Sequence, residues 1–267
     1  MGSICDFLEN ELLDHVFNGS YSPPATVYLA LSTADPTDDA SGLSEPSGNG
    51  YSRQAIGFDA AATRKVESSA QVSFDEATDS WGTLTHWALM DAETEGNAMA
   101  HGALENSKDV VSGNTPSVAA AEVYVEFSAN ELSDYLANKL LDFAFRNQAF
   151  AQPDTYVGLT TATVSDSDDG DTITEVSGGN YARKQVNPNG GASPTWDLAS
   201  GGIVDNTHAV TFAEATASWG TVTGVVVVDA SSAGNLLFYD NSEVTDQEVG
   251  IGDTVEFGAG DLDAQLT

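Results

Sequence analysis

Basic residues are scarce in this sequence, and their scarcity excludes several classes of partner. Only 8 residues are Lys or Arg, against 41 Asp or Glu, so the formal net charge is −33. Contact with phosphate groups depends on clustered Lys and Arg. We therefore expect no nucleic-acid partner and no anionic lipid surface. Apolar runs are also short: none reaches the roughly 18 residues that cross a membrane, and residues 1–6 lack the regions of a signal peptide.

Residues that commonly hold metals are few and irregularly spaced. Cys5 is the single cysteine, which excludes an intrachain disulfide and a cysteine-rich zinc site. Metal-ligand spacing is absent among the four histidines, which are His15, His86, His101 and His208. The Asp-rich residues 166–171 do not fit the helix-loop-helix calcium template, so a solvated loop is favoured over a loose cation site. We expect no metal and no cofactor.

No set of residues typical of catalysis recurs in the sequence. Ser80 and Ser218 lie in Ser-Trp-Gly, which differs from the Gly-x-Ser-x-Gly nucleophile elbow, so a turn role is favoured for both. We expect no catalytic residue and no enzyme activity. A hydrolase with paired carboxylates drawn from the many acidic residues remains an alternative.

The acidic excess itself is typical of proteins that work in concentrated brine. Like charges on a surface repel each other and oppose a compact state. At about 1 M salt the Debye length falls to about 3 Å, which screens most of that repulsion. We therefore interpret the chain as a halophile's protein, with an acidic mesophilic protein and a calcium binder as the alternatives.

The chain contains two copies of one pattern, which align from end to end. In the clearest block, residues 74–85 read Phe-Asp-Glu-Ala-Thr-Asp-Ser-Trp-Gly-Thr-Leu-Thr, and residues 212–223 read Phe-Ala-Glu-Ala-Thr-Ala-Ser-Trp-Gly-Thr-Val-Thr. Insertions fall in stretches rich in Gly, Asp, Ser and Pro, where surface loops tolerate them. We predict two homologous domains, residues 1–128 and 129–267, with almost no linker.

Each copy opens with a segment that we predict to be a short amphipathic helix. Apolar residues recur there at spacings of three and four, which is typical of one buried helical face. They are Ile4, Phe7, Leu8, Leu12 and Val16 in the first copy, and Leu132, Tyr135, Leu136, Leu140 and Phe143 in the second. Ser128 followed by Glu131 has the pattern of a capping box and predicts the start of the second helix.

The remainder of each copy has the texture of short β-strands. Residues 27–31, 224–228 and 235–239 are apolar runs, and the ends of both copies alternate between apolar and polar residues. Turns rich in Gly, Asn, Asp and Pro separate the strands. We predict a mainly β chain of two homologous β-sandwich-like domains, each preceded by a short amphipathic α-helix. The acidic loops at 35–46 and 165–175 are expected to be solvated tips.

Three residue types recur at matched positions and are our candidates for an interface. They are Tyr51 and Tyr181, Arg53 and Arg183, and Trp81 and Trp219. Arginine holds a carboxylate bidentately or stacks on an aromatic ring, so each Arg either bridges within its domain or contacts another subunit. The tryptophans can stack on sugars if they are exposed. Phe74 and Phe212 nearby favour core packing or an interface instead.

The repeated pattern resembles a family of tailed-virus virion proteins of the tail-fibre or small structural type. The family pattern includes Leu-x-Asn-x-Leu-Leu-Asp, Tyr-x-x-Leu-x-Thr-Ala, Ser-Gly-x-x-Tyr-x-Arg and Ala-Thr-x-Ser-Trp-Gly-Thr-x-Thr. In the first copy these motifs lie at 8–14, 28–34, 47–53 and 77–85, and in the second copy a Gly-Asp-Thr motif follows at 252–254. The family usually carries one such domain, so the fused pair departs from its pattern.

The resemblance implies a non-enzymatic virion component on the exterior of the head or the tail. Head decoration and tail-fibre attachment are both open. The implied partners are other virion proteins, and we expect a homo-oligomer because repeated interfaces usually close into symmetric assemblies. Together with the acidity, the resemblance indicates a tailed virus of a haloarchaeon. A host-glycan-binding adhesion module is the alternative from another class.

The charge leads to a prediction about salt. Between dilute buffer and about 1 M NaCl the melting temperature should rise by roughly 10 °C, because screening removes the repulsion between carboxylates. Thermal melts followed by circular dichroism measure it. Near pH 4 the gain should shrink, since part of the Asp and Glu side chains are then neutral. No gain at neutral pH would contradict the brine interpretation.

Overall fold

The computed structural model describes residues 2–128, 131–242 and 244–266, and the chain within them is mainly β. Strands account for 34% of the chain and helices for 10%, which confirms the predicted fold class. Helix α1 is Asp6–Asn18 and helix α2 is Asp134–Arg146. Neither helix has the length and apolarity that a membrane crossing requires, as far as the described residues go. The predicted limits of the two domains stay a prediction, because residues 129 and 130 at the boundary lie outside the described residues.

A seven-stranded sheet dominates the first repeat. The strands of this repeat are β1 (Gly2–Ile4), β2 (Val27–Ser32), β3 (Gln54–Ile56), β4 (Lys65–Glu67), β5 (Val72–Ser73), β6 (Gly82–Met90), β7 (Ala98–Val110), β8 (Ser117–Val118) and β9 (Tyr124–Glu126). The order in the large sheet is β3-β2-β6-β7-β1-β9-β4, and β5 pairs with β8. Neighbours run antiparallel except β1 and β9, which run parallel.

The second repeat contains most of the same pairings, but two shorter strands replace each of β6 and β7, and none of its named strands corresponds to β1. Its strands are β10 (Thr155–Thr160), β11 (Lys184–Val186), β12 (Ile203–Asp205), β13 (Val210–Thr211), β14 (Gly220–Val222), β15 (Gly224–Val228), β16 (Leu236–Asp240), β17 (Gln247–Val249), β18 (Glu256–Phe257) and β19 (Asp263–Gln265). A four-stranded sheet has the order β11-β10-β15-β16, and three two-stranded pairs join β12 to β19, β13 to β18 and β14 to β17. The apolar run predicted at 224–228 is strand β15.

The predicted β-sandwich-like architecture takes the form of a curled β half-barrel. In the first repeat the register between β6 and β7 shifts twice, between Leu84 and His86 and between Leu89 and Met90. Such irregularities bend a strand and increase its local twist. The long hairpin of β6 and β7 therefore curves around the core.

The start of helix α2 differs from the prediction. The capping box at Ser128 and Glu131 is wrong: Ser133 is the N-cap, and its Oγ accepts a hydrogen bond from the backbone N–H of Leu136 at 3.1 Å. Leu132 forms an isolated antiparallel β-bridge with Phe238, and the Ser133 N–H donates to the Leu237 carbonyl at 3.0 Å. Pairing with strand β16 thus holds this segment in an extended conformation, and the helix begins only after it.

The two helices lie between the repeats rather than on the outside of their own repeat. Helix α1 packs against β7 of the first repeat and against β12 and β19 of the second, while α2 packs against β16 and β4. Leu12 and Leu140, at matched positions of the two helices, are both fully buried. One continuous apolar core therefore runs through both repeats.

Glu9 of α1 has a strongly perturbed carboxyl group at this junction. Its carboxylate lies so close to Gly202 that a Cβ there would be 2.6 Å from Oε2. Burial, and the nearby charges of Asp6 and Asp38, raise the pKa of Glu9 from 4.5 to about 7. The folded state therefore holds this proton more tightly than the unfolded chain, so the contribution of Glu9 to stability falls as pH rises from 4.5 to about 7.

Replacing this carboxyl group should remove that pH dependence. At pH 8 the Glu9→Gln variant should melt roughly 2 °C above the wild type, because no charge is then buried beside Asp6 and Asp38. At pH 4.5 the two should melt together. Melts of both chains across this range in constant salt measure the difference. The same change at exposed Glu105 is the control, and an equal gain there would refute the explanation.

Candidate interface residues

The recurring arginines each hold a glutamate of their own repeat. We call the group formed by Glu45, Tyr51 and Arg53, and by Glu175, Tyr181 and Arg183, the Glu-Tyr-Arg clamp. In the first repeat Arg53 Nη2 lies 2.6 Å from Glu45 Oε1, and Nε donates to both carboxylate oxygens at 3.1 Å. In the second repeat Arg183 Nη2 and Nε donate to Glu175 at 2.8 and 3.0 Å. The Arg183 side chain is only 3% exposed.

Each clamp also hydrogen-bonds to the turn that joins two adjacent strands of the sheet. Arg53 Nη1 donates to the carbonyls of Ala92 and Glu95 at 2.8 and 2.6 Å. Arg183 Nη1 donates in the same way to Ala230 and Ala233, both at 2.7 Å. The guanidinium thereby satisfies carbonyls that the turn leaves unpaired, and it joins the acidic loop to the tip of the hairpin.

The tyrosine of each clamp ties the same glutamate to a central strand. Tyr51 donates its hydroxyl proton to Glu45 Oε2 at 2.8 Å and accepts the N–H of Leu31 at 3.0 Å. Tyr181 repeats this with Glu175 and Leu159, at 2.5 and 2.7 Å. Burial and the adjacent glutamate raise the pKa of both phenols well above their ordinary value, so both remain donors.

The matched tryptophans lie inside their repeats. Trp81 and Trp219 are each 5% exposed, and their Nε1–H groups donate to the carbonyls of Asn49 and Gly179 at 2.9 and 3.0 Å. Each indole meets the clamp tyrosine edge to face, with ring centroids 5.3 and 5.4 Å apart. Each tryptophan therefore packs the clamp tyrosine against the core of the same repeat.

The serines of Ser-Trp-Gly make a turn in both copies, as the sequence favours. Ser80 Oγ donates to the Val110 carbonyl at 3.2 Å and accepts the N–H of Gly82 at 3.2 Å. Ser218 has the same partners in its repeat, at 3.3 and 3.2 Å. The glycine after tryptophan has φ of 83° in one copy and 80° in the other, which favours glycine at this position.

The six candidates thus converge on one place in each repeat, but their polar groups contact that same repeat. Any contact of Tyr51, Tyr181, Arg53, Arg183, Trp81 or Trp219 with another subunit stays a prediction. Two roles were open for the arginines: a salt bridge within the domain or a contact with another subunit. Both arginines make the salt bridge within their own repeat.

Arg64 is a junction residue that sequence reasoning missed, because it contacts Leu132 and Asp134 of the other repeat. The side chain is 8% exposed and reaches the junction between the repeats. Its Nη1 donates to the Leu132 carbonyl at 2.6 Å and lies 3.4 Å from Asp134 Oδ1, and its Nη2 contacts the Ser128 carbonyl. It therefore joins the turn before β4 to the start of α2.

Two of the histidines also come together, although the sequence separates them. His101 Nε2 lies 3.0 Å from Asp38 Oδ1, and its Nδ1 lies 3.4 Å from Asp35 Oδ1. His86, on the neighbouring strand, approaches Asp35 at 3.9 Å. His101 thereby holds the acidic loop on the sheet. Across the described ranges, no group of three or more His, Cys, Asp or Glu side chains has a metal-binding arrangement.

The geometry and the repeats together define a class of protein. It is a duplicated, mainly β structural protein in which the repeated motifs fix loops, turns and core packing. Its sequence matches the profile of the family Gp80, described as podophage GP4 fiber I protein gp80, over residues 3–126 and again over 131–265. A comparison with curated proteins gives no match.

Because the two matches together cover nearly all of the chain, the protein belongs to this family of podophage fibre proteins, as a tandem duplication. The resemblance inferred from the motifs is confirmed. The protein is a structural component of the virion, exposed on the tail, and its partners include other virion proteins.

The clamp leads to a prediction about stability. Arg183→Met keeps most of the apolar stem but leaves Glu175 without its cation and two turn carbonyls without their donor, so it should cost about 3 kcal/mol in the free energy of unfolding. Urea unfolding in constant high salt measures this. Arg146→Met is the control, because that side chain is 26% exposed in an i,i+4 pair, and it should cost about 0.5 kcal/mol or less. Equal costs would refute the assignment.

Proposed function

We propose that the protein is a non-enzymatic building block of a tail fibre in a halophilic virus, and that it acts only through contacts with neighbouring proteins. One observation carries this proposal. The polar groups of the clamps, the matched tryptophans and the Ser-Trp-Gly serines bond within the repeat, as in Arg183, which is 3% exposed and donates to Glu175 and to three backbone carbonyls. A catalytic or binding site would need such groups to face a ligand.

The loops beside the matched tryptophans are the proposed contacts with neighbours. Val111 and Ile251 are 55% and 76% exposed. Each lies in the loop that leaves the strand bonded to Trp81 or Trp219, through the carbonyls of Val110 and Val249. An exposed aliphatic side chain at the same end of both repeats supports a homo-oligomer assembled there. In this proposal the six candidate residues act by shaping the surface.

The halophilic part of the proposal is supported by charge. A net charge of −33 is distributed over a chain whose acidic loop side chains, such as Asp38 and Asp39, are exposed. Three of the 8 basic residues are Arg53, Arg64 and Arg183, whose side chains are at most 9% exposed. The surface is therefore even less compensated than the composition indicates, and it suits a solvent that screens charge.

Glycan binding remains a second proposal, at a different place from the tryptophans. Stacking on Trp81 or Trp219 is disfavoured because each ring is 5% exposed. A cleft of about 310 Å³ in the first repeat is lined by Asn106 and Lys108, among others. Amide and ammonium groups are suited to sugar hydroxyls. This cleft is where we place the alternative.

A reconstruction of the intact virus particle by electron cryo-microscopy tests the proposed function. The chain should fit density on the tail, with a neighbouring protein against the loops of Val111 and Ile251. Antibody labelling of purified particles is the independent check. Absence from the particle, or turnover of a substrate by the purified chain, would contradict the proposal. Binding of host glycans that is lost in Asn106→Ala would favour the alternative.

A further inference from the structure

Each helix presents one Asn and one Asp to the other repeat. These four side chains, which we call the cross-repeat latch, are Asn10 and Asp14 on α1 and Asn138 and Asp142 on α2. They occupy matched positions of the Leu-x-Asn-x-Leu-Leu-Asp motif in the two copies. All four are half-buried.

The first helix uses its latch residues to hold the second repeat. The backbone N–H of Gly202 donates to Asn10 Oδ1 at 3.0 Å, and the N–H of Ala199 donates to Asp14 Oδ1 at 2.8 Å. Asn10 is fixed by its own helix, because its Nδ2 donates to the Asp6 carbonyl at 2.8 Å. Donors that lie in one repeat are therefore satisfied by acceptors from the other.

The second helix does the same to the first repeat. The N–H of Arg64 donates to Asn138 Oδ1 at 3.0 Å, and the N–H of Ala61 donates to Asp142 Oδ1 at 2.8 Å. Asn138 Nδ2 again donates four residues back, to the Asp134 carbonyl, at 2.8 Å. The corresponding distances agree in the two directions, so the contact is reciprocal.

The receiving surface is the same tight turn in both repeats. Backbone N–H groups and carbonyls pair across residues 62–65 and across residues 200–203. Both central residues have positive φ: 50° and 64° at Thr63 and Arg64, and 63° and 75° at Gly201 and Gly202. This is the pattern of a two-residue hairpin turn. One helix and one turn thus form the docking surface of each repeat.

Aromatic contacts follow the same exchange. Phe17 at the end of α1 packs on Trp196 of the second repeat, with ring centroids 4.7 Å apart. Phe145 at the end of α2 packs on Phe58 of the first repeat at 5.5 Å. Between these contacts, His15 and Phe143 occupy the same position on the two helices and face each other at 4.1 Å. Equivalent residues that meet each other mark an isologous interface.

We infer that each repeat carries one self-complementary docking surface, formed by its helix and its tight turn, and that the partner it fits is a second copy of the same repeat. In this chain the second copy is covalently attached. The two repeats therefore form a closed pair that opens as one unit, and the helices have no remaining surface of this kind for other proteins. This inference rests on the fold and does not depend on the proposed function.

Native-state hydrogen exchange on the full chain tests the coupling. Trp81→Phe removes the bond to Asn49 and perturbs only contacts of the first repeat. The slowest amides of β2 and of its counterpart β10 should exchange faster by the same factor, about tenfold. Trp219→Phe should act equally on both strands. Acceleration of β2 alone by Trp81→Phe would overturn the inference.

Removal of the latch carboxylates should weaken this transmission. In the Asp14→Ala/Asp142→Ala background, Trp81→Phe should accelerate β2 about tenfold and β10 by a clearly smaller factor. The matched control is Asp91→Ala/Asp229→Ala, since these carboxylates accept the N–H groups of Asn97 and Asn235 within their own repeat, at 2.7 and 2.6 Å. Transmission should persist there.

Equal transmission with and without the latch would overturn the role of these side chains. If the alanine background does not fold, Asp14→Asn/Asp142→Asn keeps an acceptor oxygen at each site and should retain transmission. The experiment on the otherwise unchanged chain then still tests the closed pair.

Discussion

The structure depends on the burial of two helices that neither repeat covers alone. Each helix packs one side on its own long hairpin and another on the neighbouring repeat, so the apolar face of the helix is covered only when both repeats are in place. Leu12 and Leu140 are fully buried as a result. Hydrophobic burial of this extent opposes the repulsion that a charge of −33 generates. The shared core is therefore what keeps so acidic a chain compact.

Three of the 8 cations act inside the molecule. Arg53 and Arg183 tie an acidic loop to a hairpin turn, and Arg64 ties one repeat to the start of the other's helix. A guanidinium can satisfy several carbonyls at once, which a lysine cannot do with the same geometry. In a chain with 8 basic residues, internal hydrogen bonding thus takes up cations that would otherwise balance the surface.

Sequence reasoning succeeds here where the signal is local or repeated. The helices follow from spacings of three and four, the strands from apolar runs such as 224–228, and the family from motifs that occur twice. It fails where partners are distant along the chain. The start of α2 was misplaced because the pairing of Leu132 with Phe238 is invisible in a local pattern. Arg64 and the latch were missed for the same reason, although Asn10 and Asp14 stand in a recognised motif.

The candidate site shows the same limit. Matched positions identified the arginines, tyrosines and tryptophans, but only the three-dimensional structure shows that their polar groups hydrogen-bond within the repeat. The turns that dock the helices illustrate a further difference. One carries Thr63 and Arg64, and the other carries two glycines. At one docking site the Arg64 side chain therefore reaches the Leu132 carbonyl of the other repeat, while at the other docking site Gly202 faces Glu9. Two identical halves would be related by an exact two-fold axis at this junction, whereas these docking sites differ, so the pair is only pseudo-symmetric and its two repeats are not interchangeable.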